Sequence, residues 1–193
     1  MTLASKVTFL RIILSPVFFI FFMLLEFAGE EKIFIIILLW LIFIIIELSD
    51  LFDGILARKM KEESQLGKIL DPFADSFSRL TYFICFSGIK IMPLWILLIL
   101  VYRDLTVSFF RIYLSKKGFL HGSRWSGKIK AWIYAFAGIS GMLYISFKKL
   151  LIFSNLIDMF SFIKDIIFIL CAGVAIFSVF DYSSIFWRKK NIK

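Results

Sequence analysis

Long runs of apolar residues, separated by short polar stretches, make up most of the chain. Six of these runs are long enough to cross a bilayer as a helix, which takes roughly 20 apolar residues. The pattern therefore predicts an all-α polytopic membrane protein with six transmembrane helices. We place these predicted spans at Val7–Phe27, Ile33–Ala57, Asp71–Ile89, Pro93–Leu114, Ile129–Phe147 and Phe162–Phe186.

The composition supports this pattern. The chain has 193 residues, of which 61% are hydrophobic, and its mean hydropathy is +0.91. A soluble domain usually has about 45–50% apolar residues. The loops are too short for a soluble domain, so we expect a single membrane domain over residues 1–193. The first apolar run has no small-residue cleavage site after it, and we expect it to be retained.

The distribution of charge predicts the orientation. The formal net charge is +9. If the N-terminus is cytoplasmic, the loops on that side carry about three times as many basic residues as the loops on the other side, as the positive-inside rule requires. This predicts that both termini lie in the cytoplasm. No long basic stripe with interleaved aromatic residues is present, so we do not expect a nucleic-acid partner.

The cysteines and the single histidine give no sign of metal or nucleophile chemistry. Cys85 and Cys171 both fall inside apolar runs, where we interpret them as small buried side chains rather than as a disulfide or metal ligands. His121 falls in a basic loop, where we expect it to be solvated.

Four aspartates stand at the adjoining ends of the second and third apolar runs. Asp50 and Asp53 are three residues apart, and Asp71 and Asp75 are four apart, so each pair shares one face of a helix. Carboxylates among apolar residues are costly and usually indicate a functional site. Two divalent cations would neutralise four carboxylates, and an all-oxygen donor set favours Mg²⁺ or Mn²⁺ over Zn²⁺.

The residues around the aspartates indicate a phosphate-containing ligand. Arg58 follows the first pair closely and is a donor suited to a phosphate or pyrophosphate. Gly54, Ala57 and Gly67 are small and leave room for a ligand beside the backbone. A two-metal site suits displacement at phosphorus. The pattern predicts a phosphoanhydride substrate, handled at the cytoplasmic face.

Two other interpretations of the acids are open at this point. The carboxylates could form an ion-pair network with Arg58 and Arg79 that only joins helices. They could also be the filter of a divalent-cation channel or transporter, although a channel needs neither Arg58 nor Gly67.

The sequence leaves two possibilities for the backbone conformation at Asp71. Pro72 disfavours helical geometry at Asp71, which therefore either caps the third span or marks a kink in it.

The spacing Asp50-x2-Asp53-Gly54-x2-Ala57-Arg58-x8-Gly67-x3-Asp71-x3-Asp75 resembles, without a gap, the signature of the CDP-alcohol phosphotransferase family. This resemblance implies displacement of CMP from a CDP-linked substrate by an alcohol, with the help of two divalent ions, in a six-helix membrane domain. It further implies the bacterial cytoplasmic membrane, an active site facing the cytoplasm and, as is common in the family, a homodimer.

The same resemblance implies roles for individual residues. Asp75 would be the general base that takes the proton of the acceptor hydroxyl. The metal ligands would be Asp50, Asp53, Asp71 and Asp75. The residues lining the CDP part of the lipid would be Asp53, Gly54, Ala57, Arg58 and Gly67.

The acceptor is predicted from the fourth span and the loop after it. Asp104, Ser108 and Arg111 share a helical face, and Arg103 is adjacent. Cations inside a span need an anion. With Lys128, the arginines Arg103 and Arg111 predict a pocket for a phosphate on the acceptor. The alternative is that Arg103 pairs with Asp104 and that Arg111 reaches the interface.

This region, with its segment Trp125-Ser-Gly-Lys128-Ile-Lys130, resembles the bacterial branch of the family that acts on glycerol 3-phosphate. The implied reaction joins CDP-diacylglycerol and glycerol 3-phosphate to give phosphatidylglycerol phosphate and CMP. Inositol phosphate, and less readily serine or choline, remain alternative acceptors, and a catalytically silent relative is a further alternative. Two positions depart from the branch. Ser5 replaces a usual Asn, and Glu47 replaces a usual small residue; Glu47 either perturbs the metal site or pairs with a basic residue.

Overall fold

In the part of the chain that it describes, the computed structural model is a bundle of six α-helices with one short 3₁₀ turn. The helices are α1 (Leu3–Phe27), α2 (Lys32–Met60), α3 (Gln65–Gly88), α4 (Leu94–Lys116), α5 (Trp125–Leu150) and α6 (Ile157–Lys190), with the 3₁₀ turn at Ser154–Leu156. The structure describes residues 3–60, 65–116 and 125–190; within these ranges it does not describe the side chains of residues 3–7, 50–60, 65–71, 111, 114–116, 125–128, 154, 185 and 188–190.

Each predicted span corresponds to one helix, but the helices extend further than the apolar runs. The helix α2 continues to Met60 and α3 begins at Gln65, so both helices extend into the polar stretch between the second and third predicted spans. Most of the added residues are good helix formers, such as Lys, Arg, Met, Gln and Leu. Because α3 begins six residues before Asp71, Asp71 does not cap this helix, and Pro72 lies in its interior.

Hydropathy separates the helices into two groups. Among the described residues, four segments are long and apolar enough to cross a membrane, namely Thr8–Phe27, Lys32–Ser49, Ile129–Leu150 and Ile157–Ser184. The helices α3 and α4 carry the buried ionic residues that lower their hydropathy. Many large apolar side chains are exposed on the bundle, for example Phe27 and Phe180. These features identify a membrane protein; six spans and cytoplasmic termini remain predictions.

The bundle consists of two groups of three helices. The helix α1 packs against α2 and α3, whereas α6 packs against α4 and α5. The two groups meet where α3 contacts α4 and α5 and where α2 contacts α5. Buried aromatic rings fill this junction. Tyr82 makes edge contacts with Phe43 and Phe83 at centroid distances of 5.3 and 4.6 Å, and Phe83 contacts Tyr134 at 5.6 Å.

Two glycines allow α5 to lie close to these rings. A Cβ atom at Gly138 would stand 2.9 Å from the ring of Phe43, and one at Gly141 would stand 2.4 Å from the ring of Phe86. Both phenylalanines are fully buried and cannot easily move aside. The absence of side chains at these two positions therefore sets the distance between α5 and the aromatic core.

The contacts between α2 and α3 fix their register. Phe43 and Glu47 on α2 both contact Tyr82 on α3, and Glu47 also contacts Arg79, one turn earlier on α3. The two helices are therefore antiparallel. The next turn of α2 carries Asp50, and the preceding turn of α3 carries Asp75. The backbone positions of the four aspartates thus fall at one end of the helix pair.

Candidate functional site

Asp75 is the one member of the aspartate motif whose side chain the structure describes. Its carboxylate is about one-quarter exposed, and Oδ1 lies 3.0 Å from Nε of Arg79, one turn later on α3. The arginine is 3% exposed. An i,i+4 pair of this kind forms because the two side chains share a helix face. Asp75 is thus held beside a buried cation but still reaches open space.

This open space is a small pocket of about 50 Å³ between α3, α4 and α5. We call it the polar pocket. It is large enough for several waters, since one water needs roughly 10–15 Å³. Its lining residues are Pro72, Asp75, Ser76, Arg79, Arg103, Val107, Ser108 and Lys130. A carboxylate and three cationic side chains therefore face one cavity.

The cationic side of the polar pocket is a buried network on three helices. Arg103 Nη1 and Lys130 Nζ each lie 2.8 Å from Oδ1 of Asp104. Arg103 also donates through Nε and Nη2 to the hydroxyl of Ser178 on α6, at 3.2 and 2.6 Å. Two cations share one carboxylate, so Arg103, Asp104 and Lys130 carry one excess positive charge. A buried excess charge beside a cavity favours binding of an anion.

Two polar atoms next to this network lack a partner. Within the part of the chain that the structure describes, Oδ2 of Asp104 and the hydroxyl of Tyr134 are buried and make no hydrogen bond. The ammonium group of Lys130 also lies 4.5 Å from the centre of the Tyr134 ring. Buried polar atoms normally find partners, and exceptions concentrate at functional sites.

A second, larger cavity lies between α2 and α5. We call it the apolar groove. Its volume is about 320 Å³, and its walls include Trp40, Phe43, Trp132 and Ile139. At one end it reaches Glu47 and Arg79. Arg79 also lines the polar pocket, so one side chain borders both the apolar and the polar cavity.

The structure brings two of the predicted site residues together. Asp75 and Arg103 line the same polar pocket, together with Ser108. Arg103 does pair with Asp104, as the alternative held, yet it still faces the cavity. The predicted site residues that lie outside the described side chains are Asp50, Asp53, Gly54, Ala57, Arg58, Gly67, Asp71, Arg111 and Lys128.

Lys130 was missed as a site candidate in the sequence, and one open role of Glu47 is now assigned. Lys130 lines the polar pocket, although the sequence argument selected Lys128 from the same segment. Two residues of separation put the two lysines on different faces of α5, and only the packing shows which face is buried. Glu47 pairs with Arg79. This contact confirms that Glu47 pairs with a basic residue, which was one of its two possible roles.

The oxygen donors among the described residues are of the kind that binds a hard cation. Asp75 and Ser76 offer oxygen atoms to the polar pocket, and the four aspartates sit at one end of α2 and α3. Oxygen donors suit Mg²⁺ or Mn²⁺. Among the described residues no group of three or more His, Cys, Asp or Glu side chains forms a metal cluster, but three of the four predicted ligands are outside that set.

Comparisons with known proteins identify the family to which the chain belongs. The family model described as CDP-alcohol phosphatidyltransferase matches residues 1–177. A relative from Bacillus subtilis is 32% identical over 73% of this chain and 76% of its own length. A relative from Aquifex aeolicus is 31% identical over 84% of this chain and 89% of its own length.

A third relative, from Treponema pallidum, is 33% identical, but the match spans about half of each protein, 53% of this chain and 48% of the relative. All three relatives carry the name CDP-diacylglycerol–glycerol-3-phosphate 3-phosphatidyltransferase. The family model covers most of the chain, including the aspartate motif and the polar pocket. The chain therefore belongs to the CDP-alcohol phosphatidyltransferase family.

Proposed function

We propose that this protein transfers the phosphatidyl group of CDP-diacylglycerol to the hydroxyl of glycerol 3-phosphate, which yields phosphatidylglycerol phosphate and CMP. The names of the relatives support this acceptor. The observation that carries the proposal is the polar pocket, in which a carboxylate faces a buried network with one excess positive charge. An acceptor with both a hydroxyl and a phosphate needs these two features side by side.

Asp75 is the proposed base. The acceptor oxygen attacks the phosphorus that bears the diacylglycerol, the bond from this phosphorus to the CMP oxygen breaks, and the hydroxyl proton passes to the Asp75 carboxylate. Such a base needs to take the proton only as the new bond forms, so an ordinary carboxylate suffices when it is held in place. The helix beneath it holds Asp75, and Arg79 pairs with the carboxylate until a divalent ion takes its place.

Arg103 and Lys130 are the proposed ligands of the acceptor phosphate, joined by the earlier candidates Arg111 and Lys128. Asp104 and Ser178 fix the orientation of Arg103, and Asp104 also fixes Lys130. A phosphate that replaces the pocket waters would gain charge-assisted hydrogen bonds from both cations. Choline carries no anionic group, and serine offers a single carboxylate in place of a phosphate, so both match the excess positive charge less well than a phosphorylated acceptor.

The aspartate motif is the proposed metal and nucleotide site. Two Mg²⁺ or Mn²⁺ ions bound by Asp50, Asp53, Asp71 and Asp75 would neutralise the pyrophosphate and stabilise CMP as the leaving group. Arg58 would donate to the pyrophosphate, and the small residues would leave room for the nucleotide. The residues proposed to line the CDP part are Asp53, Gly54, Ala57, Arg58 and Gly67.

The apolar groove supports a lipid substrate. Its walls are almost entirely hydrocarbon, and it reaches Arg79, which also borders the polar pocket. One acyl chain of CDP-diacylglycerol would lie in this groove while the other stays in the bilayer.

We further propose six spans with both termini and the site on the cytoplasmic side of the bacterial inner membrane. A homodimer, as expected from the family, is measurable by light scattering of the detergent-solubilised protein.

The test is an assay of CMP release by the purified protein with CDP-diacylglycerol and Mg²⁺ or Mn²⁺. Glycerol 3-phosphate, inositol phosphate, serine and choline are supplied in turn. We expect CMP release with glycerol 3-phosphate and much less with the other three. Release with inositol phosphate alone would keep the reaction type and replace the acceptor. If none of the four acceptors gives CMP release, the proposed function is wrong.

A further inference from the structure

Among the described side chains, Arg79 contacts two carboxylates that belong to different helices. Its Nε lies 3.0 Å from Oδ1 of Asp75, and its Nη2 lies 3.7 Å from Oε2 of Glu47. The arginine is 3% exposed, so its charge depends on protein partners rather than on water. Asp75 is a member of the aspartate motif, whereas Glu47 is outside it. The guanidinium therefore bridges the proposed catalytic carboxylate and an acid that the motif does not use.

Glu47 is itself held in place. Its side chain is 16% exposed, and Oε1 accepts a hydrogen bond of 3.2 Å from the hydroxyl of Tyr82. Tyr82 is 1% exposed and is packed edge-on against Phe43. The second oxygen of Glu47 is the one that faces Arg79. This arrangement presents a fixed negative charge to a second nitrogen of the guanidinium, Nη2, while Nε contacts Asp75.

We propose that Glu47 is a positioning residue that retains Arg79 when Asp75 engages a divalent ion. The inference rests on the proposed metal role of Asp75. A carboxylate that is paired with a guanidinium binds a metal ion less well, because the two cations compete for the same oxygens. When the arginine gives up Asp75, its buried charge needs a carboxylate that the metal ions do not occupy. Glu47 is that carboxylate.

Removal of the charge on Glu47 would then strengthen the hold of Arg79 on Asp75. The expected consequence is weaker metal binding, not loss of the catalytic machinery. The variant Glu47→Gln keeps an oxygen that can accept the Tyr82 hydrogen bond but removes the charge that attracts Arg79. We expect its affinity for Mn²⁺ to fall about tenfold, which corresponds to a loss of about 1.4 kcal/mol. At saturating Mn²⁺, its kcat should return to within about threefold of the wild-type value.

The experiment measures Mn²⁺ binding to the purified protein by electron paramagnetic resonance of the free ion, and CMP release as a function of Mn²⁺ concentration. The matched control is Glu26→Gln, which removes a carboxylate from an ion pair with Lys149 at 3.1 Å, outside both cavities. We expect the control to bind Mn²⁺ as the wild-type protein does.

The double variant Glu47→Gln/Arg79→Gln separates positioning from direct metal ligation. If Glu47 acts through Arg79, the double variant should bind Mn²⁺ as well as Arg79→Gln alone. If Glu47 were itself a metal ligand, the double variant would bind Mn²⁺ as poorly as Glu47→Gln, and this result would overturn the inference. Unchanged Mn²⁺ affinity in Glu47→Gln would also overturn it.

Folding is checked by the thermal unfolding midpoint. If Glu47→Gln does not fold, Glu47→Asp takes its place, because it keeps the charge but moves it about one methylene away from Arg79. We expect this variant to bind Mn²⁺ roughly threefold less tightly, and wild-type affinity would contradict the inference. Absence of CMP release by the wild-type protein would instead contradict the proposed function, so the two failures are distinct.

Discussion

Among the lysines whose side chains the structure describes, two are buried, and their surroundings look alike at first. Lys130 on α5 and Lys164 on α6 are 4% and 5% exposed. Each lies against a tyrosine ring, Tyr134 at 4.5 Å and Tyr144 at 4.9 Å. Each forms an ion pair with an aspartate, at 2.8 and 2.5 Å respectively. By burial and pairing alone, the two would be assigned the same role.

They differ in what lies beyond the ion pair. The second bond of Lys164 goes to the backbone carbonyl of Ile91, in the connection between α3 and α4, and its partner Asp165 is half exposed. The charge of Lys164 is thus used to join α6 to a turn. The partner of Lys130 is Asp104, which is 3% exposed and shared with a second cation beside a cavity. A buried cation indicates a binding site when its network has excess charge and borders open space.

The largest expected difference between the two surroundings concerns the nearest carboxylate in each that the proposed chemistry distinguishes: Asp75, which lines the polar pocket with Lys130, and Asp165, which pairs with Lys164. The variant Asp75→Asn should reduce turnover by roughly 10³-fold, since a positioned general base contributes about 10²–10⁴-fold. Binding of CDP-diacylglycerol, measured by calorimetry in detergent, should change little. The matched variant Asp165→Asn should keep turnover within about threefold. A near-normal rate in Asp75→Asn would show that Asp75 is not the base.

The next comparison replaces the two lysines themselves. We expect Lys130→Met to raise the KM for glycerol 3-phosphate about 10- to 100-fold, because a hydrogen bond to a charged group contributes about 1.5–3 kcal/mol. The KM for CDP-diacylglycerol should change less than threefold. A larger effect on the lipid KM than on the acceptor KM would contradict the assignment of Lys130 to the acceptor phosphate.

The matched variant Lys164→Met should behave in the opposite way. Loss of the bond to the Ile91 carbonyl and of the Asp165 pair should lower the free energy of unfolding by about 1–3 kcal/mol. Turnover per folded molecule should remain within about twofold of wild type. The thermal unfolding midpoint measures the stability, and the concentration of active protein gives the turnover per folded molecule. A specific loss of acceptor affinity would show instead that Lys164 takes part in the site.

A smaller effect is expected from Ser178→Ala. The hydroxyl of Ser178 accepts two bonds from Arg103, so its removal frees the guanidinium to leave the polar pocket. A typical hydrogen bond contributes about 0.5–1.5 kcal/mol, and we expect the KM for glycerol 3-phosphate to rise about threefold. Thr at this position keeps the hydroxyl and serves as the control.

The smallest effect is expected from Tyr134→Phe. The hydroxyl has no partner among the described residues, while the ring beneath Lys130 is kept in this variant. Turnover and both KM values should stay within about twofold, and stability should be equal or slightly higher, because a buried donor without a bond is costly. A tenfold rise in the acceptor KM would instead indicate that the hydroxyl binds the acceptor.

The helices could be predicted from the sequence because long apolar runs leave few alternatives in a membrane. Their ends could not, since residues such as Arg58 and Lys59 extend a helix beyond the apolar run without changing the hydropathy signal. Asp75 and Arg103 could be predicted as site candidates, because a charged side chain inside an apolar run is costly and usually has a function.

The rest of the site depends on packing. The choice between Lys128 and Lys130 depends on which face of α5 is buried, and the spacing of the two lysines does not contain this information. The contact of Glu47 with Arg79 joins residues 32 positions apart and depends on the register of α2 and α3. Sequence alone left the partner of Glu47 open for this reason.

The glycines of α5 have a consequence for evolution of substrate preference. The helix α5 forms one wall of the apolar groove through Trp132 and Ile139, and one wall of the polar pocket through Lys130. Gly138 and Gly141 set the distance of this wall from the rest of the bundle. A larger residue at either position would displace the wall for both cavities at once. With an acyl chain in the groove and the acceptor in the polar pocket, as proposed, tolerance for a different acyl chain and tolerance for a different headgroup would be inherited together.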